Sequence, residues 1–345
     1  MKRRITSLTW LSALFCLLVV MHHILSDPIT KLDPMSWQFL SVLVPQKLLT
    51  MAVSGYMIMG GLKLCLNPPD KFSSFYWKRF TRVLLPYFLA LAIYYWYFYD
   101  KGLIHLTSKE LMHYCFYGNM GGHLYYMVAY TQFLILTPLW LKIVKRWDAV
   151  VVLPIAVVIS WLSRAHLKEF VQIILPQAEF VYNDRAFTTY LFHFLLGCYM
   201  GKDYDKAMAI LKKNRGLIVG TTVVLGLLTA VGSAGLWSGR YPFPAFNTFH
   251  RSYQVGVILC LFLVGEKLPA APKPVKLLNA VSYPVYLYHM LVIYIFSEIT
   301  PFTDVGVNLI ARTVFVYIVT IGACLIWHLA VGFIKNLKKE GIVHE

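Results

Sequence analysis

An all-α, polytopic integral membrane protein of about ten transmembrane helices, with both termini cytoplasmic, is the fold the sequence predicts. Three observations carry this. Hydrophobic residues make up 58% of the 345 and charged ones 14%, with a mean hydropathy of +0.60, whereas about a quarter of the residues of a soluble domain are charged. Apolar runs near the length of a bilayer crossing recur along the whole chain, about 20 residues each. Lys and Arg fall mainly on alternate sides of those runs.

In order, the spans are 8–25, 38–62, 83–99, 123–141, 149–163, 186–201, 216–234, 252–265, 280–297 and 306–334. The first, LTWLSALFCLLVVMHHIL, carries no fixed charge and ends in His22 and His23. It follows basic residues but lacks a small-residue cleavage site, so it reads as an uncleaved span rather than a signal peptide. The second contains Pro45 and a single cation, Lys47. The third is aromatic (VLLPYFLALAIYYWYFY), and the fourth opens at His123 and runs past Pro138. The fifth, sixth and eighth are short, which fits tilted or re-entrant segments. The seventh, ninth and tenth are plain apolar runs apart from His289 in the ninth and Arg312 and His328 in the tenth. No repeat, low-complexity tract or soluble domain interrupts them, so residues 1–345 read as one membrane domain.

The even loops and both ends hold Lys2, Arg3 and Arg4, the Lys63 to Arg82 group, Lys142 to Arg146, Lys202 to Arg215, Lys267 to Lys276 and Lys335 to Lys339. The odd loops hold far fewer cations, which orients an even number of spans with the basic side inward. This distribution also accounts for the formal charge of +16 without nucleic acid as a partner; the lipid bilayer is the partner, in the cell (plasma or inner) membrane. Six cysteines stand singly, with no CxxC pair or metal-ligand spacing, so neither a structural disulfide nor a metal site is expected. Of the long outer segments, 235–251 (GLWSGRYPFPAFNTFHR) has the aromatic and polar make-up of a sugar-binding surface, and equally that of an interfacial Trp/Tyr belt.

Ionisable side chains inside spans mark functional sites by default. Here they are His22, His23, Lys47, His193, His289 and His328, with His123 and Arg312 at outer span ends and no carboxylate well inside any span. That pattern weighs against a cation-coupled transporter, which commonly uses buried carboxylates. It suits proton transfer, because histidine takes and returns a proton near neutral pH. Any one such histidine alone is more often a ring hydrogen-bonded between helices; the set together shifts the balance toward proton transfer. The predicted orientation puts His22, His23 and His123 toward the outer face and His289 near the middle of its span. At the opposite face Arg79 and Arg82, in YWKRFTRVLLPYF, suit phosphate contacts or simple topology anchoring.

Several segments in order resemble the acyltransferase family 3 membrane proteins, which acylate sugars and envelope glycans. They are the first span with its terminal histidine, TMAVSGYMIMG, KRFTRVLLPYF, GHLYYMVAYTQFLILTPLW, FLLGCYMG and AVSYPVYLYHMLV. Within the family, FLLGCYMGKDYD resembles the intercellular-adhesion type that acts on poly-β-1,6-N-acetylglucosamine. The family's first span has an Arg, ten residues and then a His; His23 fits the His, but Ser12 stands where the Arg would be, about 16 Å away on the same helix face.

What the resemblance implies is a membrane O-acyltransferase. It would move an acetyl or succinyl group from cytoplasmic acyl-CoA (acetyl-CoA or succinyl-CoA) to an extracytoplasmic glycan such as an exopolysaccharide, with a polysaccharide synthase as a possible partner. His23 or His22 would serve as base or transient acyl carrier, and Lys47 would stabilise an oxyanion. Arg79 and Arg82 would hold the donor's phosphates, while Ser54, His123, Tyr126 and His289 would line the substrate path. A polysaccharide exporter without acyl-transfer chemistry, or a non-catalytic scaffold, are the rival readings.

Overall fold

The computed structural model describes residues 5–105, 107–176, 182–237, 246–300 and 304–339, and no strand occurs among them. The helices are α1 (Thr6–Ile29), α2 (Trp37–Leu48), α3 (Met51–Leu66), α4 (Phe72–Arg79), α5 (Leu85–Asp100), α6 (Ser108–Tyr117), α7 (Tyr125–Ile135) and α8 (Thr137–Arg146). They continue with α9 (Ala149–Ile174), α10 (Leu191–Lys202), α11 (Tyr204–Lys213), α12 (Arg215–Trp237), α13 (Phe246–Gly265), α14 (Lys273–Ile299) and α15 (Val305–Lys339).

Seven helices among the described residues are long and apolar enough to cross a membrane, counting α2 and α3 as one, and the bent pair α7 and α8 makes an eighth. Their outward faces are strongly apolar: Val150, Ile173, Leu217, Val231, Ile326 and Trp327 are all exposed. In water such a surface would be untenable over this extent; in lipid it is the expected one. The protein is therefore a multi-pass membrane protein. Every segment expected to span is helical, but 83–99 and 186–201 correspond to shorter helices, α5 of 16 residues and α10 of 12. The first continues α4 through a π turn at Phe80–Leu84, and the second follows two 3₁₀ turns between Asn183 and Tyr190. Pro138, at the start of α8, lacks a donor, and the α7–α8 pair bends there by 62°.

Two compact units divide the chain: Val53–Gly220 with Ile258–Leu263, and Ile5–Ala52 with Thr221–Val257 and the residues from Val264 onward. In the first unit the core gathers Met57, Phe133, Trp140, Phe194 and Cys198. The Phe133 and Phe194 rings stack at 4.2 Å, and Trp140 Nε1 donates to Phe133 O at 3.0 Å. In the second unit α1, α14 and α15 share a seam of Cys16, Val20, Ile24, Val281, Val285, Ile293, Val316 and Cys324. Its members lie four or eight apart on each helix, a spacing that keeps one face inward. Tyr317 on α15 donates to Leu17 O at 2.7 Å and fixes the register of α15 against α1.

Candidate functional site

The seam of α1, α14 and α15 is mainly apolar from Cys16 to the turn that carries His23. There the ring of His23 meets that of His289 at a centroid distance of 5.1 Å. His289 is fully buried, and its Nδ1 lies 3.1 Å from Val285 O and 2.8 Å from Tyr286 O. Carbonyls only accept, so in the neutral ring Nδ1 carries the proton and Nε2 keeps its lone pair. His289 is thereby held in one tautomer beside His23.

His22 points elsewhere. Its ring lies 5.1 Å from that of His23 at an angle of 76°, and its Nδ1 lies 3.4 Å from Gln46 O on α2. Gln46 Nε2 donates to Ser26 Oγ at 3.1 Å, and Ser26 Oγ donates back to His22 O at 2.8 Å. Adjacent helical residues project about 100° apart, so only one histidine of the pair can face α14. The structure brings His22, His23 and His289 together within the second unit.

Lys47 enters this region through its backbone. The span from Trp37 to Leu66 breaks between α2 and α3, which frees carbonyls that a continuous helix would use. Lys47 O receives Thr50 Oγ1 at 2.8 Å and lies 3.0 Å from His250 Nε2, and Leu48 O accepts from Tyr253 Oη at 3.3 Å. Thr50 Oγ1 also lies 2.7 Å from His250 Nε2 and accepts from Gln254 Nε2 at 2.9 Å. One helical face of α13, with His250, Tyr253 and Gln254, thus serves the break. A buried acceptor stripped of every partner costs about 1–3 kcal/mol; Lys47 O keeps Thr50 Oγ1 when His250 is lost, so the expected cost is below that range. His250→Ala should lower the thermal midpoint in detergent modestly, and His250→Gln, which keeps a donor, should recover part of the loss.

Ser12, at the position of the family Arg, is buried, and its Oγ lies 3.5 Å from Ser282 Oγ on α14. It is part of a tight helix contact. The remaining sequence-derived candidates lie in the first unit. Ser54 is buried on α3, and Tyr126 on α7 stacks on Tyr130 at 5.5 Å with Tyr56 6.4 Å away. His123 is buried, with its ring 5.9 Å from that of Tyr94. Arg79 ends α4 with its guanidinium 5.0 Å from the Phe75 ring centroid, while Arg82 is exposed in the π turn. Of the aromatic segment 235–251, residues 238–245 lie outside the described residues. An apolar cavity of about 710 Å³ between α5 and α6, lined by Leu91, Tyr95, Trp96, Leu111, Tyr114 and Met120, holds none of the candidates.

Sequence reasoning missed Ser26, Asp27, Gln46, Thr50, His250 and Gln254. Asp27 was discoverable: α1 continues to Ile29, and the spacing of four from His23 puts both on one face. Thr50, His250 and Gln254 come together only through tertiary contact, and no local pattern announces them.

The acyltransferase domain model of the third acyltransferase family matches residues 5–328. A Staphylococcus epidermidis protein named "Probable poly-beta-1,6-N-acetyl-D-glucosamine export protein" is 23% identical over 307 residues, covering 85% of this chain and 82% of the relative. A Staphylococcus aureus protein of the same name is 22% identical over 309 residues, covering 85% and 83%. "Putative membrane-bound acyltransferase YfiQ" of Bacillus subtilis is 27% identical over 183 residues, covering 50% and 48%. No solved structure matches the chain. With a match that runs from before His22 and His23 to beyond Arg312, the chain belongs to the third acyltransferase family of membrane proteins.

Proposed function

We propose that the protein is an O-acyltransferase of the cell membrane that moves an acetyl or succinyl group from cytoplasmic acyl-CoA to an extracytoplasmic glycan, such as poly-N-acetylglucosamine. The observation that carries this reading is the contact of the half-buried His23 ring with the fully buried His289 in a chain of an acyltransferase family. In the mechanism, the acceptor hydroxyl gives its proton to His23 as its oxygen attacks the thioester carbonyl, and the coenzyme A thiolate departs. His289, fixed as the Nδ1–H tautomer, presents Nε2 as an acceptor toward its surroundings and orients the neighbouring imidazole. His22, tied to Gln46 O, supports the turn rather than taking the proton. Arg79 and Arg82 bind the donor phosphates at the cytoplasmic side, with Lys47, Ser54, His123 and Tyr126 along the substrate path. Ten crossings with both ends cytoplasmic put donor and acceptor on opposite faces, and a polysaccharide synthase would supply the acceptor.

A second reading, polysaccharide export without acyl transfer, is favoured by the printed names of two of the relatives and by the break between α2 and α3, since broken spans line the sites of many transporters. Mass spectrometry of envelope glycans from cells with and without the protein separates the two. Polymer exported normally but lacking O-acyl groups supports the transferase. Fully acylated polymer retained inside the cell supports the exporter.

A further inference from the structure

Between His22 and Pro28 the first helix is weakly held by its own backbone. Pro28 lies inside α1, so the hydrogen bond it would donate to Ile24 O is missing and its ring crowds that carbonyl. Ser26 Oγ donates to His22 O, a back-bond that loosens a helix further. This is the turn on which His23 sits, yet a catalytic ring needs placement to within a fraction of an ångström.

Side chains hold the turn instead. Asp27 forms an ion pair with Arg312 of α15, and Lys31 Nζ reaches the same carboxylate at 3.0 Å. Arg312 is 1% exposed, the largest fully buried side chain among the described residues, and its guanidinium lies 5.5 Å from the Phe296 ring of α14. One carboxylate thus ties α1 to α15 while the cation rests on α14. Asp27 lies one helical turn, about 5.4 Å, beyond His23 on the same face of α1. On α15 the buried residues Arg312, Val316, Thr320 and Cys324 recur every fourth position, so the ion pair is the next layer of the seam after the layer of His23 and His289. A buried arginine is expensive in a membrane helix unless it is paired, so the Asp27 carboxylate is the group that holds the Arg312 charge in this layer.

We infer that the Asp27–Arg312 pair is the positioning element of His23, doing through side chains what the proline-interrupted backbone of α1 cannot. The inference rests on His23 acting in acyl transfer, but its geometric content can be read without that activity. In proteoliposomes supplied with acyl-CoA and a poly-N-acetylglucosamine oligomer, Arg312→Gln and Asp27→Asn should each lower kcat at least tenfold with the acceptor KM within twofold, and the double variant should be no worse than the poorer single one. Pro28→Ala restores the missing backbone donor, and should bring the kcat of Arg312→Gln back to within about threefold of wild type.

Amide hydrogen exchange in detergent gives the independent reading. Exchange in the peptide spanning residues 20–27 should rise about tenfold or more in Arg312→Gln and fall again on adding Pro28→Ala, while residues 281–290 of α14 stay unchanged. A wild type that transfers no acyl group sinks the acyl-transfer reading, and the exchange data then decide the positioning claim alone. An active wild type with unaltered kcat in Arg312→Gln, or a Pro28→Ala change that rescues neither kcat nor exchange, overturns the inference. General loss of folded protein in both single variants, unrelieved by Pro28→Ala, would show the pair to be structural only.

Discussion

Replacing His23 by alanine should abolish acyl transfer, lowering kcat by about 10²–10⁴, the usual worth of a positioned general base. His22→Ala should cost far less. The two residues are adjacent, chemically identical and on the same turn, so the contrast tests geometry rather than composition. His23 packs on the buried His289, whereas the His22 ring is directed at Gln46 O on another helix. His289→Ala should fall between them, about tenfold, because it removes an orienting ring and leaves the base in place. The measurement is transfer of a labelled acyl group to a glycan oligomer in proteoliposomes, with each variant checked for its wild-type thermal midpoint. Equal losses in His22→Ala and His23→Ala would dismiss the assignment of the base. Undiminished turnover in His23→Ala would remove the imidazole from the mechanism.

The membrane class and the helical segments were legible because bilayers impose a single rule, long apolar runs with satisfied backbones. Span number was less so. Segments 83–99 and 186–201 have the hydropathy of crossings, yet a π turn shortens the regular helix in the first and a 3₁₀ turn in the second. Neither irregularity has a one-residue marker in sequence. The break at residues 49 and 50 was hidden for another reason: the carbonyls of Lys47 and Leu48 take their partners from α13, about 200 positions along the chain.

Within the site, His23 and His289 each stood out as intramembrane histidines and the family spacing pointed to His23, but their pairing and the different direction of the His22 ring are tertiary facts. Asp27 was lost to a boundary drawn at residue 25, since α1 runs four residues further, through Pro28. Arg79 and Arg82 stand three apart, the spacing of one face in an α-helix, but the π turn from Phe80 to Leu84 turns more slowly per residue. The resemblance through FLLGCYMG, by contrast, carried physical content that its letters state openly, and that content sets the largest stability effect expected in the first unit.

Gly197→Leu should prevent the first unit from folding, and Gly197→Ala should already destabilise it. Gly197 and Gly201 lie four apart on α10, the small-xxx-small spacing that lets membrane helices approach closely, and α3 supplies the facing surface. A Cβ on Gly197 would lie 1.9 Å from Ile58 O, one on Gly201 2.3 Å from Leu62 O, and one on Gly61 2.0 Å from Phe194 O. These are backbone atoms, so no rotamer change relieves the clash; α3 and α10 would have to separate by an ångström or more. Separation would also open the stack of Phe133 on Phe194 and the cluster around Met57 and Cys198. Overpacking of a tight core costs about 1–3 kcal/mol, which is the expectation for alanine, while leucine adds three further carbons to a space with no room for one. Thermal unfolding in detergent should register a lower midpoint for Gly197→Ala and little folded protein for Gly197→Leu. Glycines facing open space give the control: Gly216→Ala and Gly220→Ala, where a Cβ meets nothing within 4 Å, should leave the midpoint unchanged or raise it, because alanine is the better helix former. Equal tolerance at Gly197 and Gly220 would mean that α3 and α10 do not pack through their glycines.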